Sequence, residues 1–266
     1  MPRWIVMWIT AFSLYAACKG LTFAQARRRG VTASWPRAIG YLALWPGMDA
    51  AAFLARNEHP VVPSATEWLS AAGRTLSGVL LFWLAARVLS ESHPLVAGWA
   101  GMTGVILVLH FGTFDLLSLA WRSVGVNAIP VMRHPLHSTS LGEFWGRRWN
   151  TAFHELANRF SFQPLRSRLG VPAAALLVFL ISGVIHELVI SVPAGGGYGL
   201  PTAYFAVQGL AVLGERSAPA QALGLAHGWR GRTFAVVVAA GPAFWLFPPL
   251  FIRRVILPML ASFGAI

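Results

Sequence analysis

The sequence is poor in cysteine, lysine and acidic residues, and each shortage excludes something. Cys18 is the one cysteine in 266 residues, which rules out a disulfide within this chain, a cysteine-based zinc site and an iron–sulfur cluster. It lies in the first apolar span, where loss of water disfavours a thiolate nucleophile. Charged residues make up 11% of the chain against 56% apolar, whereas soluble domains are about a quarter charged. A soluble globular domain is excluded, and lipid must be much of this chain's solvent. Nine acids face 21 basic residues, a formal net charge of +12, and Lys19 is the only lysine. The arginines fall in short clusters between apolar spans, as the positive-inside rule expects, so no nucleic-acid partner is expected. There is no Gly-x-Ser-x-Gly elbow, Walker loop or dinucleotide fingerprint. Nor is there an internal repeat, so residues 1–266 read as a single membrane-embedded unit.

What is present is a series of long hydrophobic runs. A helix needs about 20 apolar residues to cross about 30 Å of hydrocarbon. Five stretches qualify: Trp4–Phe23, Trp68–Leu89, Leu95–Trp121, Val171–Ile190 and Gly197–Leu213. Thr233–Ile252 is a sixth, softened by prolines, and Val255–Ile266 is too short alone. The first stretch has no small-residue cleavage site before Lys19 and reads as a retained helix. Ala38–Leu54 carries Pro46, Gly47 and Asp49 at its centre and reads as a broken or re-entrant segment. The fold class is therefore all-α, a multi-pass helical membrane bundle with re-entrant or interfacial helices. The setting is a plasma membrane, or an inner membrane in a bacterium. The block Arg27-Arg28-Arg29 and the connection from Arg122 to Gly170 are expected on the cytoplasmic side, and Ser191–Gly197 on the other. That count places Arg253-Arg254 outside, against the rule, and leaves the C-terminal topology open.

The connection contains Ser140-Leu141-Gly142-Glu143, with the spacing of a capping box, so a helix is expected to begin there. Trp145, Trp149, Phe153, Leu156 and Phe160 then recur at helical spacing, which predicts one aromatic face on a helix lying in the membrane interface. Deeper in the chain, His186 and Glu187 interrupt the strongest apolar run. Ionisable groups at such depth usually face a bundle interior or wet cavity and mark a functional path. An uncharged imidazole there could take a proton from a hydroxyl, or could be a structural histidine bonded to a neighbouring helix. Ser182, one turn earlier, could orient the imidazole or bond back to its own helix. His134 and His137 are separated by Pro135, which argues against a metal pair, and no metal site is expected. His110 and Asp115, five residues apart, diverge on a straight helix.

Two blocks, Ser-Leu-Gly-Glu-Phe-Trp-Gly-Arg-Arg-Trp-Asn at 140–150 and Ser-Gly-Val-Ile-His-Glu at 182–187, resemble the membrane-bound O-acyltransferase superfamily, specifically its wax synthase-like branch. The likeness covers roughly 130–215, ending at Gly214-Glu215. It implies acyl transfer from a thioester, commonly acyl-CoA, to a hydroxyl within the membrane. The family's histidine maps onto His186 and its paired asparagine onto Asn150. On this reading His186 is the base and Asn150 positions a reactant or donates to the oxyanion. Arg147, Arg148, Trp145, Trp149, Glu187 and Ser182 are assigned to substrate binding. The arginines, with Arg166 and Arg168, could instead be topology determinants, and the tryptophans packing anchors. The expected partners are acyl-CoA as donor substrate, a hydroxyl acceptor such as a long-chain alcohol, and membrane lipid, with no further cofactor. Two other readings stay open: a proton-coupled transporter or lipid flippase using His186, Glu187 and His110, and an inert membrane scaffold.

Overall fold

The computed structural model describes residues 1–55 and 61–266. Among them all regular structure is helical. Helix α1 is Arg3–Arg28, α2 is Trp35–Leu44, α3 is Ala50–Leu54, α4 is Ala65–Ser90 and α5 is Pro94–Ser123. After a long connection come α6 (residues 141–148), α7 (Thr151–Ala194), α8 (Leu200–Gly214), α9 (Gly228–Leu246) and α10 (Pro249–Ser262). Helices α1, α4, α5 and α7 are long and apolar enough to cross a membrane, and α9 with α10 passes together although bent by 55°. The expected span Gly197–Leu213 is instead the 15-residue α8, about 22 Å long and too short to cross alone. The expected sixth span starts earlier, at Gly228, and bends where Pro248-Pro249 removes two backbone donors, so Val255–Ile266 falls largely within its second arm.

The chain forms two compact units, residues 12–132 with 256–266, and residues 1–11 with 133–255. In the first, α4 and α5 cross through glycines. A Cβ on Gly104 would lie 2.7 Å from the Gly78 carbonyl oxygen and 2.8 Å from the Phe82 nitrogen, so only bare backbone fits this approach. Two ion pairs tie α4 to α5, Arg74 to Asp115 at 2.7 Å and Arg122 to Glu67 at 2.6 Å. The 38–54 stretch is broken, as its proline and glycine led us to expect, into α2 and α3 around non-helical residues 45–49. The freed carbonyls find side-chain donors: Trp121 Nε1 to Leu44 at 3.1 Å, Tyr15 Oη to Trp45 at 2.8 Å and Lys19 Nζ to Gly47 at 2.7 Å. Irregular backbone surrounded by apolar helices persists only when its polar groups are met in this way. Lys19 is buried against the Tyr41 ring, with Nζ 3.2 Å from the ring centroid.

In the other unit, α7 packs along α8. A Cβ on Gly183 would sit 2.7 Å from Thr202 Cα, which fixes the crossing point. Gly170, at φ +78°, kinks α7 just before its most apolar length. The helix ends with Gly195 at φ +65°, its amide donating to Val192 and the Gly196 amide to Ser191, a Schellman-type end that needs a left-handed residue. In α9 the Val238 carbonyl would normally receive the amide four residues on, but that residue is Pro242. Gln208 of α8 supplies the missing donor, Nε2 to Val238 O at 2.8 Å, and is fully buried.

Candidate active site

His186 lies on α7 sixteen residues beyond the Gly170 kink, roughly 22 Å along the helix from Val171. Its Nδ1 is 2.7 Å from the Ser182 carbonyl oxygen. A carbonyl can only accept, so this contact places the proton on Nδ1 and leaves the Nε2 lone pair to act as a base. The Ser182 hydroxyl bonds back to Val178 O at 3.0 Å. The serine's backbone, rather than its side chain, therefore orients the ring, and the hydroxyl takes the back-bonded alternative. On its other side the imidazole rests on Phe205 of α8, with ring centroids 4.5 Å apart. The residue as a whole is half-buried.

Glu187 caps the neighbouring helix through one of its oxygens, while Oε2 is buried with no hydrogen-bond partner among the described residues. Its Oε1 accepts from the Gly199 amide at 3.0 Å, the Thr202 amide at 3.1 Å and the Thr202 hydroxyl at 2.9 Å, capping the start of α8. This acid holds the helix that carries Phe205 against the helix that carries His186. Its contacts are those of a helix cap rather than of a substrate ligand.

The arginine-rich block is built differently from the single amphipathic helix expected. Helix α6 starts as an α turn, Leu141–Glu143, and widens into a π turn, Phe144–Arg148. It stops at Trp149, and Asn150 sits at φ +44°, ψ +59°. Trp145 and Phe153 therefore belong to different helices, and no continuous aromatic face exists. Asparagine tolerates the left-handed region better than most residues. The Asn150 Oδ1 accepts from the Phe153 amide at 3.4 Å, so Asn150 is the N-cap of α7. The capping box is also only half formed. The Ser140 hydroxyl accepts the Glu143 amide at 3.0 Å, but Glu143 Oε2 takes the Thr139 amide at 2.6 Å rather than that of Ser140.

The remaining amides at the start of α6 are met by a residue not foreseen as a site residue. Glu215, at the end of α8, accepts from Leu141 and Gly142, each at 2.7 Å. A Cβ on Gly142 would come within 2.6 Å of Glu215 Oε1, so glycine is required there. Burial pushes the Glu215 carboxyl up; the two amides and neighbouring Arg216 oppose that but do not cancel it. The only sequence signal was an acid closing an otherwise apolar helix.

Trp145 is an anchor. Its Nε1 donates to Gln208 Oε1 at 3.2 Å, and its ring meets Phe179 and Phe205 with centroids 5.9 and 5.7 Å away. Trp145 and His186 thus share Phe205 as a common support. Trp149 stacks on Phe144 at 5.5 Å. Arg148 is committed to structure: Nε to Glu143 Oε1 at 2.7 Å, and Nη1 to the carbonyls of Arg133 at 3.3 Å and His134 at 3.5 Å. Arg147 is exposed and makes no hydrogen bond or ion pair among the described residues, so of the two it is the one available to an anion. Partial burial pushes Glu143 up, but the Thr139 amide, the Arg148 guanidinium and the Thr139 hydroxyl outweigh it and hold the carboxyl below its ordinary value.

Residues 128–207 match the sequence profile of the membrane bound O-acyl transferase family. The matched segment contains Trp145, Arg148, Asn150, Ser182, His186 and Glu187, together with Phe205. The chain is 33% identical over 78 residues to a long-chain-alcohol O-fatty-acyltransferase of Simmondsia chinensis, which is 26% of this chain and 22% of that protein. It is 28% identical over 163 residues to a probable long-chain-alcohol O-fatty-acyltransferase of Arabidopsis thaliana, 54% of this chain and 46% of that one. A diacylglycerol O-acyltransferase of Arabidopsis thaliana is 40% identical over 58 residues, 21% of this chain and 11% of that protein. The chain thus spans less than half the length of each of these relatives. Its long apolar helices make it a multi-pass integral membrane protein, and the matched segment is similar to long-chain-alcohol acyltransferases of that family.

Proposed function

We propose that this chain is a membrane-bound O-acyltransferase that moves an acyl group from an acyl-CoA thioester to the hydroxyl of a long-chain alcohol, with His186 as general base. The observation that carries the reading is the Nδ1 contact with Ser182 O, which leaves the Nε2 lone pair able to accept a proton. Nε2 takes the alcohol proton as the alcohol oxygen attacks the thioester carbonyl carbon. The tetrahedral intermediate collapses with cleavage of the C–S bond, and the imidazolium returns its proton to the leaving thiolate. No acyl-enzyme is required, in keeping with a chain whose single cysteine sits far from this segment in sequence. Arg147 offers a guanidinium to the donor's phosphates. The fatty-alcohol acceptor is suggested by the activity for which the Simmondsia and Arabidopsis relatives are named.

The test is turnover of labelled acyl-CoA with a panel of alcohols by purified protein and by His186→Ala. General acid–base catalysis is worth roughly 100- to 10,000-fold, and a loss of that size with unchanged donor binding is the expected result. Full turnover by His186→Ala would sink the mechanism. Asn150→Gly separates two roles, because glycine keeps the left-handed turn and removes the amide. If Asn150 acts on the reactants, the glycine variant folds but loses kcat.

A further inference from the structure

At the end of α7 two guanidinium groups converge on one carbonyl oxygen. Arg3, in the first turn of α1, donates from Nη1 to Pro193 O at 3.4 Å and to Ala194 O. Arg254, in α10, donates from Nη1 to the same Ala194 O at 3.2 Å and to Gly195 O at 3.3 Å. A Cβ on Gly195 would meet both, 2.8 Å from Arg3 Nη1 and 3.6 Å from Arg254 Nη1. The carbonyl end of a helix supplies only about half an elementary negative charge, less than the two positive charges that share it. Arg253, beside them, is exposed and also without a hydrogen-bond or ion-pair partner among the described residues.

Carboxylates do not make up the deficit. Among the described residues, arginine pairs with carboxylates at Arg74–Asp115, Arg122–Glu67 and Arg148–Glu143. Glu187, the acid nearest in sequence to the α7–α8 turn, spends Oε1 on the start of α8. Arg3 and Arg254 each contact the carbonyls through Nη1, which leaves Nε and Nη2 as a fork on both. Arg3 opens an apolar helix of 26 residues and Ala194 closes one of 44, so the forks lie where hydrocarbon gives way to headgroups. Forked donors suit the paired oxygens of a phosphate.

We propose that Arg3 and Arg254 form a binding site for the phosphodiester headgroup of an anionic phospholipid, which neutralises the excess charge and stabilises the far end of the histidine-bearing helix. The test uses the full chain in nanodiscs of phosphatidylcholine alone or mixed with phosphatidylglycerol. Phosphatidylglycerol is expected to raise the wild-type Tm by on the order of a few degrees. The increment should vanish in R3Q/R254Q and persist in R232Q, which removes an exposed arginine elsewhere. An equal increment in wild type and double variant, or none in wild type, overturns the site. An equal Tm rise when inorganic phosphate or CoA is added to the detergent-solubilised protein makes this a soluble-phosphate site and overturns the lipid assignment. Should R3Q/R254Q not fold, native mass spectrometry of the wild type from mixed lipid decides. Preferential retention of phosphatidylglycerol supports the site, and equal retention of both lipids overturns it.

Discussion

The two units spend their few carboxylates in different ways. In residues 12–132, Asp115 and Glu67 pair with Arg74 and Arg122 and staple long, continuous helices whose crossing is set by bare glycine backbone. In residues 133–255, Glu143 pairs with Arg148, whereas Glu187 and Glu215 accept backbone amides at the starts of α8 and α6. Ion pairs hold elements that are already complete. Carboxylate caps let a helix begin in the middle of the bundle, which a chain must do repeatedly to bring Trp145, Phe205 and His186 together from three helices. In the unit with the candidate site, these acids let helices begin inside the bundle without leaving amides bare.

This contrast can be broken by substitution. The largest effect is expected from Asp115→Ala, which strands a part-buried guanidinium at a cost of about 3 kcal/mol. Thermal unfolding in detergent should show it, while turnover per folded molecule stays at the wild-type level. A fall in turnover matching the stability loss would mean that the ion-paired unit also shapes the chemistry. Glu215→Ala leaves the Leu141 and Gly142 amides without acceptors and should cost about 2–4 kcal/mol. Here activity is expected to fall as well, because α6 carries Trp145; Glu215→Gln, which keeps one acceptor, should lie between. Gly104→Ala pushes apart backbones in van der Waals contact, at about 1–3 kcal/mol, again without loss of turnover per folded molecule.

The smallest effect is a pH dependence. Glu143 has a folded pKa below its ordinary value of 4.5, so the unfolded chain binds the proton more tightly. Its contribution is present at neutral pH and is lost as pH falls through 4.5 and below. Tm measured from pH 7 down to 4 should drop more steeply in the wild type than in Glu143→Gln. Parallel curves would show that the Thr139 and Arg148 contacts add nothing to the fold.

Several features were legible from local pattern alone. Pro46 and Gly47 foretold the break between α2 and α3, and the apolar runs foretold α1, α4, α5 and the main length of α7. His186 stood out because an ionisable residue in an apolar run is costly. Others were invisible. The amphipathic pattern of 140–160 was real as a pattern, but Asn150 turns into the left-handed region and divides it, and no periodicity reports a single φ. Glu187 and Ser182 read as site residues because they neighbour His186 in sequence. Their side chains in fact face other partners, the start of α8 and the Val178 carbonyl.

The sequence by itself determined the solvent, the positions of four long apolar helices and the residue types available for chemistry, because burial in lipid acts on composition over whole segments. Only the tertiary structure decided which atoms meet. The proton on Nδ1 of His186, the support from Phe205, the caps from Glu187 and Glu215 and the donor from Gln208 to Val238 each depend on a contact of ångström precision between distant residues. Such contacts follow from how helices cross and where their backbone hydrogen bonds run out, and hydropathy carries no record of either.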